Sequence, residues 1–197
     1  FVFLAWASSL VVSFHALNGG RLILYELFGQ RRDDTMIRWT FGLSVMYAAV
    51  VGLLLMMKNQ SVSAFFFWLM AFFFGAIAAY VVASRIWKKR HSVLWKLQRI
   101  SGGFLFVTVP AYYLLFSYLN PGEADAAQGA IAGMQNVFTH LVTLTLATSA
   151  LYHAGYGLFS IAADYTSSGI ARAGLTTLIV VVIAVLAVLA FRLILSV

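Results

Sequence analysis

Four histidines occur in this chain, and two of them are set in the same local pattern. His15 is followed by Gly19, Arg21 and Glu26, and His153 by Gly157, Asp164 and Tyr165. Each histidine therefore has a glycine four residues on and a carboxylate eleven residues on. On a helix, a residue four on lies one turn away on nearly the same face, so the glycine removes a side chain beside the imidazole. Eleven residues is close to three turns, which returns the carboxylate to the histidine's face about 16 Å along the axis. An imidazole, a cleared slot against the backbone and an acidic group are thus set out alike on two apolar segments. An ionisable side chain in a segment of membrane length is expensive, so it points to function.

Two facing neutral imidazoles with a wide, flat space beside each suit axial ligation of a haem iron between helices. The opposing reading is two ordinary buried histidines, each bonded to a hydroxyl or a carbonyl. The matched offsets favour the iron. The ring nitrogen turned away from a metal needs an acceptor to fix its tautomer, and the sequence does not identify one.

The elements that must hold these residues are helices in a bilayer. Of the 197 residues, 62% are hydrophobic and 10% charged, and the mean hydropathy is +0.92. Such a chain is an all-α polytopic membrane protein, not a soluble domain. Seventeen phenylalanines, two prolines and long unbroken runs argue against a barrel of short alternating strands. No cysteine is present, so the chain holds no iron–sulfur cluster, thiolate haem ligand or disulfide.

Six apolar spans are expected: A from residue 1 to Phe28, B from Met36 to Met57, C from Val62 to Trp87, D from Leu97 to Leu119, E from Ala130 to Tyr165 and F from Ala173 to Leu195. Pro110 is a candidate kink in D. Span E exceeds the ~20 residues that cross a bilayer, so it must tilt, protrude or break. The apolar opening Phe1-Val-Phe-Leu suggests a further helix upstream. The whole reads as one integral-membrane domain with a first half over 1–57, a connecting helix over 62–87 and a second half over 97–197, as two three-helix pseudo-repeats.

Basic residues concentrate in the A–B connection (Arg31, Arg32), the C–D connection (Lys88, Lys89, Arg90, with Lys96 and Arg99 beyond) and the E–F connection (Arg172). The opposite side has Lys58 and the acidic turn from Asn120 to Asp125, although Arg192 runs against the trend. By the positive-inside rule the first group faces the cytoplasm, or the matrix of an organelle. His15 and His153 then share a depth in the inner half of the membrane.

On these residues the chain resembles the membrane-anchor cytochrome b of the succinate dehydrogenase / fumarate reductase family, respiratory complex II. One anchor motif of that family, His-x3-Gly-x-Arg-x4-Asp, reads here as His15, Gly19, Arg21 and, one methylene longer, Glu26. A second, His-x3-Gly-x6-Asp-Tyr, reads as His153, Gly157, Asp164 and Tyr165. A third, His/Gln-Arg-x-Ser/Thr-Gly, reads as Gln98-Arg99-Ile100-Ser101-Gly102. The motifs fall on three spans and imply both anchor subunits fused in one polypeptide.

The resemblance implies one haem b between His15 and His153, and a quinone (ubiquinone or menaquinone) near the inner face. Tyr165, Asp164, Arg99 and Ser101 would lie at its head group. A quinone oxygen gaining electrons needs donors, which a tyrosine hydroxyl, a serine hydroxyl and an arginine can supply. Asp164 would relay protons or hold Arg99; Trp95 would flank the head group or sit in an interfacial belt. Arg21, about 9 Å along the helix from His15, would meet a haem propionate or snorkel to the surface. The basic Lys88–His91 stretch serves propionates, a soluble partner or anionic lipid equally well; His91 is expected in water. His140, about 20 Å outward of His153, is expected at the interface and not on a second haem, as thirteen residues is not a whole number of turns.

The implied partners are an iron–sulfur subunit and a flavoprotein subunit, with membrane lipid and no nucleic acid; a higher oligomer of the complex is compatible with this. The chain would be the quinone-reactive subunit in electron transport and the tricarboxylic acid cycle. It is not the dicarboxylate enzyme, since it lacks a flavin fingerprint and cluster cysteines. Two alternatives stand beside this reading: the anchor of another respiratory oxidoreductase, and a haem-free helical transporter with histidines as proton carriers.

Overall fold

The structure is a computed structural model describing residues 2–29, 33–57, 64–119 and 137–196. Within these residues it is entirely helical: α1 (Val2–Phe28), α2 (Asp33–Met57), α3 (Ala64–Ile86), α4 (Val93–Leu119), α5 (Val137–Tyr165) and α6 (Gly169–Leu195). All six expected spans are present. The Asn120–Asp125 turn, Lys58 and the expected first two turns of span E, from Ala130, lie outside the described residues.

Two helices begin a turn earlier than hydropathy alone places them, for the same reason. The Ser92 hydroxyl accepts from the Trp95 backbone N–H at 3.2 Å, and Ser168 accepts from Ala171 N–H at 3.4 Å. Each satisfies an N–H that the first helical turn cannot pair internally. α4 consequently starts at Val93 instead of Leu97, and α6 at Gly169 instead of Ala173. At the other end of α1, Gly29 adopts φ +73° and its N–H donates to Tyr25 O at 2.8 Å. A side chain would be strained there, so the glycine marks the stop.

α4 is the central element, packed against α1, α2, α3 and α5, while α6 packs on α5. α3 and α4 form an antiparallel pair brought close by two glycines. A Cβ on Gly75 would stand 2.7 Å from Thr108 Cγ2 and 3.1 Å from Phe104 Cδ2, and one on Gly103 would stand 3.0 Å from Val82 Cγ2. In a bilayer, close backbone approach supplies the packing that burial from water supplies elsewhere. Gly75→Ala is therefore expected to cost about 1–3 kcal/mol, read as a lower midpoint in thermal unfolding in detergent. An unchanged midpoint would show that the crossing is looser than described.

Buried hydroxyls in the helix contacts satisfy themselves on the preceding turn. Ser13 donates to Ser9 O at 2.6 Å, Ser44 to Thr40 O at 2.8 Å and Thr108 to Phe104 O at 3.0 Å. Small polar residues thus fill tight contacts without leaving an unpaired group. α4 continues through Pro110, whose carbonyl accepts from the Tyr47 hydroxyl of α2 at 3.0 Å.

α6 turns most of its length outward. Val180, Val181, Val185, Leu186, Val188 and Leu189 are all exposed, and Ile194 is its one buried large side chain. An uninterrupted apolar surface of that size is stable against hydrocarbon and not against water. By length and composition alone, α6 and the Leu69–Ile86 stretch of α3 suffice to cross a membrane. α1, α4 and α5 are less apolar because they carry the histidines, arginines and hydroxyls considered next.

Candidate functional site

α4 sets the frame. It runs antiparallel to α1, with Arg99 opposite Glu26, Gly102 opposite Ile23 and Phe106 opposite Gly20. It also runs antiparallel to α5, with Gln98 opposite Gly157 and Gly102 opposite His153. α1 and α5 therefore flank α4 in the same direction, and the patterned histidines come together.

The His15 and His153 rings lie 6.1 Å apart, centre to centre, with their planes at 81°. An iron with nitrogens at about 2 Å on either side, each about 1.1 Å from its ring centre, requires about 6.2 Å. The separation fits an axial pair. No group of three or more His, Cys, Asp or Glu suited to a metal ion occurs among the described residues, so these residues offer two ligands and no polydentate cage. The spaces beside the histidines are unequal. A Cβ on Gly19 would meet nothing within 4 Å, whereas one on Gly157 would lie 3.3 Å from Gln98 Nε2. The slot beside His15 is open, and the one beside His153 is edged by an amide.

His153 is half-buried and anchored; His15 is exposed. Ser101 Oγ stands 3.3 Å from His153 Nδ1, a partner that the sequence alone does not identify. The antiparallel register of α4 and α5 brings it from 52 residues away.

Arg99 does not use Asp164. Its Nε and Nη2 both reach the Glu26 carboxylate, at 2.9 Å to Oε2 and 2.9 Å to Oε1 respectively. Each partner's side chain is 26% exposed, so this two-point pair is partly shielded from solvent. The guanidinium also lies over Trp95, 4.8 Å from the ring centre, and His91 stacks on Trp95 at 4.0 Å. His91 is exposed, as expected, but it is not free of contacts. Lys89 Nζ donates to the Glu26 backbone carbonyl. Glu26, Lys89, His91, Trp95 and Arg99 thus form one polar group at this end of the bundle.

Asp164 and Tyr165 lie at the C-terminus of α5. Tyr165 is 87% exposed and Asp164 is exposed too. Neither side chain has a hydrogen-bond or ion-pair partner among the described residues. α4 begins at Val93, and the pairing of Gln98 with Gly157 leaves Asp164 beyond its first turn. The four residues assigned to a head group are therefore divided: Ser101 on His153, Arg99 on Glu26, and Asp164 and Tyr165 apart.

Arg21 also departs from expectation. Its Nη1 donates to Asp33 Oδ1 at 3.0 Å, its side chain is 12% exposed, and its guanidinium lies 5.5 Å from the Tyr25 ring centre. Six residues from His15 is about 240° of helical rotation, so Arg21 leaves the histidine's face for α2, whereas Glu26 at eleven stays close to it. Three buried polar atoms lack partners among the described residues: Arg21 Nε, Tyr25 Oη and Gln98 Oε1.

His140 Nε2 bonds the Ile194 carbonyl of α6. This ring ties α5 to α6. Gly155 makes a second contact in that pair, with Ile183 Cγ1 at 3.3 Å from an added Cβ. His140→Ala is expected to loosen the α5–α6 contact by about 1 kcal/mol, lowering the thermal midpoint. Haem content per chain in the purified complex should not change, and a loss would assign His140 to an iron.

These features define an all-helical integral-membrane subunit with two neighbouring imidazoles, one half-buried and one exposed, and a polar cluster at one end. A family model described as the succinate dehydrogenase/fumarate reductase transmembrane subunit matches residues 79–191, more than half of the chain. The chain belongs to that family. No curated protein and no solved structure matches it. The matched segment covers α4, α5 and nearly all of α6, and so contains His153, Arg99 and Ser101; His15 and Glu26 lie outside it.

Proposed function

We propose that this chain is the haem b-carrying, quinone-reactive anchor of a succinate dehydrogenase or fumarate reductase, with both anchor halves fused in one polypeptide. The observation that carries the reading is the His15–His153 pair at 6.1 Å. His15 and His153 would hold the haem iron, with Gly19 leaving open space beside His15 and Gly157 admitting the Gln98 amide beside His153. When bound, haem supplies a one-electron store beside the path from the partner's clusters to the quinone.

The chain's own residues do the rest. Arg99, held by Glu26 and Trp95, presents a fixed cation where a quinone oxygen gains negative charge. Asp164 and Tyr165, at the corresponding end of α5, supply a proton and a hydroxyl donor; their support is the shared motif. Arg21 ties α1 to the start of α2 and so steadies the helix that carries His15. The Lys88–Arg90 turn and the Glu26 cluster mark the end that meets the iron–sulfur subunit, with the flavoprotein subunit beyond it. That end faces the cytoplasm, or the matrix in a mitochondrion, in agreement with the basic connections.

The test is a dithionite-reduced minus oxidised spectrum of the purified complex with a haem-to-protein ratio. A b-type α-band at about one haem per chain is expected. A colourless complex with quinone turnover intact would remove the haem from the reading.

A further inference from the structure

The motif resemblance gives Ser101 to the quinone, but the geometry points to another task. Ser101 is 8% exposed. Its hydroxyl donates to the Gln98 carbonyl at 3.0 Å, which commits its single proton. What remains on Oγ is acceptor capacity, and the neighbour within reach is His153 Nδ1 at 3.3 Å. Beside it, a Cβ on Gly102 would stand 3.1 Å from His153 Cε1 and 3.6 Å from Nδ1. The imidazole thus rests against bare backbone at Gly102 and is held by its Nδ1 edge at Ser101. Ile23 Cδ1 of α1 would lie 3.7 Å from the same added Cβ. The seat is closed by α1, the helix that carries His15.

We propose that Ser101 and Gly102 are the positioning residues for the iron-ligating imidazole of His153, and that the Ser101 hydroxyl serves this ligand and not the quinone. The inference rests on the haem reading. Donation from Nδ1–H to Oγ fixes the tautomer in which Nε2 carries the free lone pair. It also makes the ring a stronger electron donor, which favours ferric over ferrous iron. Gly102 does the steric part: at 3.1 Å an added methyl must displace the ring, because the backbone bearing it is locked in the α1–α4 contact.

The experiment uses the purified holo complex and reads the haem midpoint potential, the low-spin EPR signal and the quinone KM. Ser101→Ala is expected to keep the haem, to shift the midpoint potential upward and to alter the g-values, with KM unchanged. Ser101→Thr, which retains a hydroxyl, is expected to restore both haem signals, and Ser101→Val, nearly the same shape without the hydroxyl, is not. Gly102→Ala is expected to lower haem content. If Ser101→Ala raises the quinone KM and leaves the haem signals where they were, the hydroxyl belongs to the quinone and the proposal is overturned. An unmoved potential with unmoved KM overturns it as well. A wild-type complex without haem overturns the underlying reading instead, which separates the two failures.

Discussion

Replacing His153 with alanine is expected to abolish the b-type α-band of the reduced complex, and replacing His15 is expected to do the same. The two rings stand 6.1 Å apart, and on the proposed haem reading each would give one nitrogen to the same iron, so neither is redundant. Removing a metal ligand usually costs far more than the about 1 kcal/mol of an ordinary lost hydrogen bond. The variants should still fold. His15 is exposed, and its removal leaves no cavity in the bundle. His153 is seated against Gly102, and alanine leaves there a small gap between α4 and α5. Helical circular dichroism and the detergent elution profile should match the wild type while the haem is gone. A full α-band in either variant would reject that residue as a ligand.

Arg99→Ala should lower quinone turnover by about 10²-fold, the size seen when one preorganised donor is removed from a developing oxyanion. The haem should remain, because Arg99 touches Glu26 and Trp95 and neither histidine. Glu26→Gln keeps the shape but removes the charge that holds the guanidinium with two hydrogen bonds. Its turnover should fall too, by about 10-fold, since a partly shielded arginine left without its counter-ion relaxes away from its fixed position. The Arg99→Ala/Glu26→Gln double variant should lose little beyond Arg99→Ala alone, because the second change acts through the first. Asp164→Asn makes the contrast: with Arg99 engaged by Glu26, its effect should not depend on whether Arg99 is present. A strong dependence on Arg99 together with an inert Glu26→Gln would mean that the working complex pairs Arg99 with Asp164.

Several of these features could be read from the chain before any coordinates. The eleven-residue offset from His15 to Glu26 already sets both on one helical face. The same arithmetic applied to Arg21 gives about 240° of rotation, which takes it off the histidine's face, although its pairing with Asp33 is set by how α2 packs. The capping serines were legible as well. Ser92 and Ser168 stand just before α4 and α6, and a hydropathy window passes over them because a cap is a local polar signal and not an apolar one. Membrane character, all-helical class and family were carried by composition and by three short motifs. The family match begins at residue 79, so for the His15 half those motifs were the available guide.

What the sequence by itself determined is whatever depends on spacing along one helix: which residues share a face, where helices start and stop, and which segments hydrocarbon will accept. What only the tertiary structure decided is every choice between equivalent partners. Arg99 had two carboxylates at matching offsets and took Glu26; Ser101, on another helix, came to stand 3.3 Å from His153 Nδ1. Those outcomes depend on the register and rotation of α4 against α1 and α5, set by close contacts such as Gly102 on His153 and Gly20 on Phe106. A shift of one residue turns a helix by about 100°, so differences of a few ångströms in packing, which no pattern within a single helix encodes, settle which pair forms.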